Sequence, residues 1–125
     1  MKFMLDANTC IYLLANAFPK LTGRFLAQES GTVCISSIAF AEVALGSQNG
    51  QPPPLDILDA FVDEVPLVPF DAGAARAYAA LPFKRGNFDR LIAAHALSLG
   101  LTVITRNTTN FADVKGLAVE NWATD

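Results

Sequence analysis

One histidine, His95, and two cysteines, Cys10 and Cys34, are all that this 125-residue sequence offers of those residue types. The cysteines lie in apolar segments without paired spacing, so they read as buried thiols of a reducing compartment rather than as a disulfide. A chain of this length builds a core without disulfides or structural zinc. No apolar run approaches the roughly 20 residues of a membrane span. Asp6 interrupts what would be the core of a signal peptide, and no small-residue cleavage site follows, which predicts a cytoplasmic protein. Charged residues are also scarce at 17%, and their net of −3 exerts no general pull on nucleic acid or an anionic membrane. With 52% hydrophobic residues, the composition excludes a disordered chain and fits one compact domain over residues 1–125.

What the sequence does contain is three acids in apolar settings. Asp6 ends the opening run MKFML, Glu42 is the only charge in SSIAFAEVALG, and Asp89 opens FDRLIAAHALSLG. A carboxylate in such surroundings carries a desolvation cost and usually has a partner, a metal or a task. Three of them, far apart in sequence, predict one acidic pocket assembled by the fold, suited to a divalent metal. Lys84, Arg85, Arg90 and Arg106 fall near Asp89 and Asn107, while most acids lie before position 80. A basic rim beside an acidic pocket suits a phosphate-backbone substrate. Solvated surface charge explains the same residues equally well.

The elements alternate. Lys2–Leu5 reads as a strand, Thr9–Ala17 and Leu21–Glu29 as helices, and Thr32–Ile35 as a buried strand. Ser36 or Ser37 caps a helix to about Leu45. GSQNGQPPP is an exposed loop before a helix near Leu55–Val62. Val65–Phe70 reads as a strand that Pro66 and Pro69 restrict to a short or edge position. Asp71 caps an Ala-rich helix to about Leu81, and PFKRGN forms a basic turn. Phe88–Leu99 is a helix closed by Gly100, Leu101–Thr105 a strand, and GLAVENW a last short strand. Strands separated by helices predict an α/β sandwich around a short parallel sheet. Ligands of such sheets collect at the carboxyl ends of strands, where Asp6 and Asn107 fall.

Magnesium or manganese prefers hard oxygen ligands and keeps several waters, so a few carboxylates around a cleft suffice. Such an ion lowers the pKa of bound water and stabilises the leaving oxygen of a phosphodiester. The stretches LDANTCIYLL, CISSIAFAEVALG, NFDRLIAAHALSLGLTVITRN and FADVKGLAVENW together resemble the ordered motifs of PIN-domain ribonucleases, in particular the toxin half of VapBC toxin–antitoxin pairs. The resemblance runs from about Lys2 to Trp122. It implies a PIN-like single-domain α/β/α sandwich and a magnesium-dependent endoribonuclease (with manganese as an alternative ion) that hydrolyses RNA with metal-activated water. It also implies a homodimer held inactive by a VapB-type antitoxin, with structured translational RNA as the substrate. By the same resemblance Asp6, Glu42 and Asp89 hold the ion, and Asn107 stands at the fourth, Asp-or-Asn position of the catalytic set.

This chain departs from that pattern at several points. Ala7 stands where Thr is common, Asn110 replaces an acid before the Phe, and the segment before Asp89 is short and lacks a Pro-Ile-Gly-Pro turn. Asn107 adds no charge, so a second ion is expected to bind weakly until RNA arrives. Arg85, Arg90 and Arg106 are candidate phosphate contacts, and Thr105 a candidate for orienting the site. Phe88 and Trp122 could stack on a base, but packing is the better reading of both. His95 lies six residues after Asp89, turned away from it on a helix, and reads as a core or partner-facing residue. Ile38 and Leu45 are expected on the face of Glu42. Two other function classes fit parts of the pattern. One is a catalytically silent RNA- or protein-binding module. The other is a phosphatase with Asp6 as nucleophile, for which Asn8 occupies the place of the second acid such chemistry usually wants.

Overall fold

In a computed structural model, which describes residues 1–84 and 86–124, five short strands form one sheet. They are β1 (Phe3–Leu5), β2 (Val33–Ser36), β3 (Leu67–Val68), β4 (Thr102–Ile104) and β5 (Val119–Glu120). Their order is β3-β2-β1-β4-β5, and every neighbouring pair is parallel. Six helices connect them: α1 (Ala7–Leu14), α2 (Pro19–Leu26), α3 (Ser37–Gln48), α4 (Leu55–Glu64), α5 (Ala72–Ala80) and α6 (Phe88–Leu99). A 3-10 turn at Thr108–Phe111 follows β4. Among the described residues, no helix is long and apolar enough to cross a membrane.

Local chemistry sets the element ends. Asp6, Ser36, Asp71 and Asn87 each accept a backbone N–H of the helix they precede, which satisfies a donor that has no partner within the helix. Helix α1 begins at Ala7, two residues earlier than its apolar spacing suggests, because Asp6 is its cap. Pro19 opens α2, where its missing N–H costs nothing. Gly100 ends α6 at φ 69°, a left-handed position that favours glycine. The proline-flanked β3 is a two-residue edge strand, as its composition requires.

Every residue of β2 is buried, so both faces of the sheet are covered. The core joins Met4, Leu5, Cys34, Ile35, Val103 and Ile104 of the central strands to Val43, Leu58, Ile92 and Phe111 from the covering segments. Cys10 and Cys34 are free thiols, and burial pushes their pKa values up to about 12 and about 11. Trp122 is buried with its ring edge-on to Phe3 at 4.9 Å. Phe88, read from sequence as packing, is instead 51% exposed.

From β1 the chain winds outward to β2 and β3, then returns across the sheet to β4 on the opposite side of β1. The strand order therefore reverses between β1 and β4, and the crevice beyond their carboxyl ends is the natural ligand position of an open parallel sheet.

Candidate active site

The Asp6 N–H donates to the Ile104 carbonyl at 3.2 Å, which extends the β1–β4 ladder one residue past Leu5. Asp6 therefore stands beside Thr105 at the reversal point. Its Oδ1 accepts the Thr9 N–H at 2.8 Å, and the Thr9 hydroxyl donates to the Ile104 carbonyl at 3.1 Å, tying α1 to β4. The Thr105 hydroxyl, itself buried, accepts the Asn107 N–H at 2.9 Å and lies close enough to the Asp6 carboxylate to favour its ionised form. Asp6 is only 4% exposed. Burial raises its pKa, and the charge of Asp89 adds to the rise. The bonds from Thr105 and Thr9 oppose it.

Glu42 projects from the middle of α3, where no capping role can explain it. Its Oε1 is buried without a hydrogen-bond partner. Burial, then the charges of Asp89 and Asp6, pushes its pKa up to about 7. The expected neighbours divide: Ile38 packs against the core, whereas Leu45 is 63% exposed and does not wall in Glu42.

Asp89 lies in the first turn of α6, but Asn87 performs the capping there, accepting the Arg90 N–H at 2.9 Å. The Asp89 Oδ2 instead accepts the side-chain amide of Asn110 at 3.1 Å.

The three acids thus share one electrostatic neighbourhood, although they come from β1, α3 and α6. Among the described residues, no three Asp, Glu, His or Cys side chains close onto a single ion-sized point. The donor set nevertheless fits a hard divalent cation that keeps several waters: three carboxylates that feel one another's charge, one with a buried oxygen that lacks any partner.

A cleft of about 280 Å3 opens beside Asp6, lined by Asp6, Asn8, Tyr12, Thr105, Arg106 and Asn107; Glu42 and Asp89 do not line it. The Asn107 side-chain oxygen accepts the Thr109 hydroxyl at 3.0 Å.

The expected basic rim divides in three. Arg106 lines the cleft. Arg90 is buried, donating to the Pro82 carbonyl at 2.7 Å and to Asp113 at 3.4 Å, so it braces the turn before α6 and has no open face for a phosphate. Arg85 lies outside the described residues. Lys84 pairs with Asp113 at 2.7 Å.

His95 is buried away from this chemistry. Its Nδ1 meets the Ser36 hydroxyl at 2.9 Å and its ring packs edge-on to Phe70, while burial lowers its pKa.

Residues 3–117 match the PIN domain. The chain belongs to the PIN-domain family. Curated relatives run its whole length. A tRNA(fMet)-specific endonuclease VapC of Shigella flexneri is 37% identical over 98% of this chain and 99% of its own. The enzyme of the same name from Salmonella typhimurium is 34% identical over 98% of both chains. The PIN fold is matched in solved structures as well. A DNA-bound VapBC structure from Salmonella typhimurium superposes with TM-score 0.84 at 32% identity, covering 98% of both chains. A promoter-bound VapBC2 structure from Rickettsia felis gives 0.81 at 28% identity, covering 98% of this chain and 99% of that one.

The sequence reading missed two features of this PIN-domain site. Asn110 holds Asp89, although it had been read only as a missing acid. Tyr12 and Phe18 surround Arg106, a contact that joins residues roughly 90 positions apart and leaves no local signal.

Proposed function

We propose that this PIN-domain protein is a metal-dependent endoribonuclease, the toxin of a pair neutralised by a VapB-type antitoxin, with structured translational RNA as its substrate. The observation that carries the reading is the buried, unpartnered Glu42 Oε1 in the combined field of Asp6 and Asp89. An acid so placed is costly unless an ion or the reaction uses it. The full-length relatives named VapC and tRNA(fMet)-specific endonuclease support the substrate class, and the VapBC structures support the partner.

Asp6, Glu42 and Asp89 would hold Mg2+ or Mn2+, with the Asn107 side chain as a neutral neighbour. The chemistry such an ion supplies is a lower pKa for attacking water and charge compensation at the phosphodiester. The chain's own residues do the rest. Thr105 stands beside Asp6, favours its ionised form and holds the backbone of Asn107. Asn110 fixes Asp89. Glu42 Oε1 is the open acceptor of the site, available to an ion or to water. A homodimer and a cytoplasmic location belong to the same proposal.

The test is cleavage of total cellular RNA by the purified protein, with Mg2+, Mn2+ or chelator, beside Asp6→Asn. Discrete fragments that need metal and disappear in the variant support the enzyme. Absent cleavage, or equal cleavage by the variant, would withdraw it.

A further inference from the structure

Arg106 follows the buried Thr105 and enters the cleft that holds Asp6 and Asn107. Its guanidinium carbon lies 4.3 Å from the centroid of Phe18 and 5.4 Å from that of Tyr12. Those two rings meet edge-on at 5.2 Å, so they form a fixed corner rather than two independent contacts. Both are partly buried against the core and belong to the α1–α2 segment that Asp6 begins.

A guanidinium this close to a ring is held by the ring's electrons, not by a hydrogen bond. Among the described residues its N–H groups make no hydrogen bond, which leaves them for the fork that matches a phosphate. Among the described residues, Arg106 pairs with no carboxylate, whereas Arg90 is tied to Asp113 and Arg24 to the carbonyls of Asn121 and Thr124. An uncommitted cation beside the buried Asp6 suits an anionic substrate that the acids of the site would otherwise repel.

We propose that Arg106 grips a backbone phosphate of the RNA next to the one cleaved, and that Phe18 and Tyr12 are positioning residues that hold its guanidinium there. The proposal rests on the ribonuclease reading above and adds the residue that registers the strand. Arg106→Lys keeps the charge but loses the planar face and the fork. Phe18→Leu keeps the charge and the fork but loses the rest beneath them.

The experiment measures binding of fluorescein-labelled bulk transfer RNA in EDTA, so that no turnover intervenes, across a range of salt concentrations. The wild type is set beside Arg106→Ala, Arg106→Lys, Phe18→Leu and the Phe18→Leu/Arg106→Ala double variant. Arg106→Ala should weaken binding about tenfold at low salt and flatten the slope of log affinity against log salt by about 0.7–0.9, the loss of one phosphate contact. Arg106→Lys should keep the slope and still bind more weakly. Phe18→Leu should weaken binding about threefold in the wild-type background and have no further effect once Arg106 is Ala.

Unchanged affinity and slope in Arg106→Ala, or a Phe18→Leu loss of the same size in both backgrounds, would overturn the proposal. Metal-dependent cleavage by a wild type whose Arg106→Ala variant binds normally would sink this inference alone. A wild type that neither binds nor cleaves RNA would sink it together with the ribonuclease reading. Arg106 is exposed, so its variants test the idea even if Phe18→Leu folds poorly.

Discussion

The side-chain amide of Asn110 donates to the carboxylate of Asp89 at 3.1 Å, joining the turn after β4 to the first turn of α6. A neutral amide here does work that an acid could not: it donates to a carboxylate and orients it. Groups that orient a ligand carboxylate commonly change metal affinity or activity 10–100-fold when removed. Asn110→Ala should therefore cut RNA cleavage about tenfold with little change in melting temperature, since both residues sit at the surface of the site. Asn110→Asp puts a second negative charge beside Asp89 and should tighten Mn2+ binding in calorimetry. Weaker binding would mean that orientation of Asp89 outweighs the added charge.

Asp6 has two roles that substitution can separate. As the cap of α1 it accepts the Thr9 N–H, a bond that Asn can replace and Ala cannot. Asp6→Ala should lose about 1 kcal/mol of stability with its activity. Asp6→Asn should melt close to the wild type and be as inactive as Asp6→Ala. Retained cleavage by Asp6→Asn would reduce Asp6 to a structural cap.

That double role explains how far the sequence could be read. Asp6, Glu42 and Asp89 stood out because an acid in an apolar run is costly wherever the fold places it, and the carboxyl end of a parallel strand is a known destination. Asp71, Gly100 and the proline-flanked edge strand were legible for the same local reason. Arg90 was not. A run of basic residues looks like a rim, and only the Pro82 carbonyl and Asp113, brought close by the fold, make it a buried strut. The exposure of Leu45 and Phe88 was equally hidden, because helical spacing says which residues share a face and not whether another element covers it.

The neutral Asn107 bears on metal stoichiometry. Asn107 adds no charge to Asp6, Glu42 and Asp89, and three carboxylates offset little of the repulsion between two divalent ions held close together. Calorimetric titration with Mn2+ should find no more than one tightly held ion per chain, and RNA carrying a non-cleavable linkage should raise the affinity of a second. Two tight ions without RNA would contradict this.

Glu42 makes the metal-free protein sensitive to pH in a definite direction. Its folded pKa, about 7, lies above its ordinary value of 4.5, so the folded chain binds the proton more tightly than the unfolded one. The stabilisation is complete below about pH 4.5 and is lost as pH rises through about 7. Asp6, also raised, acts in the same sense. In EDTA the melting temperature should fall between pH 5 and 8, and Glu42→Gln should reduce that fall. Added Mg2+ should restore the wild type most strongly at the high end, where the carboxylate is ionised. An identical pH dependence in Glu42→Gln would remove Glu42 from the site's electrostatics.

His95 opposes this trend from the other side of the scale. Burial lowers its pKa below the ordinary 6.5, so the unfolded chain takes up its proton first. Its contribution is complete above pH 6.5 and is lost as the pH falls from there through its lowered folded value. In Glu42→Gln, with the opposing contribution removed, melting temperature should drop on acidification through this window. Adding His95→Gln, which can still meet the Ser36 hydroxyl, should abolish that drop. His95→Ala, which leaves a cavity beside Phe70 and removes the bond to Ser36, should cost about 2–4 kcal/mol. Metal-dependent cleavage should survive in both His95 variants at temperatures where they stay folded. If His95→Gln abolished cleavage while its melting temperature held, the imidazole would belong to the reaction after all.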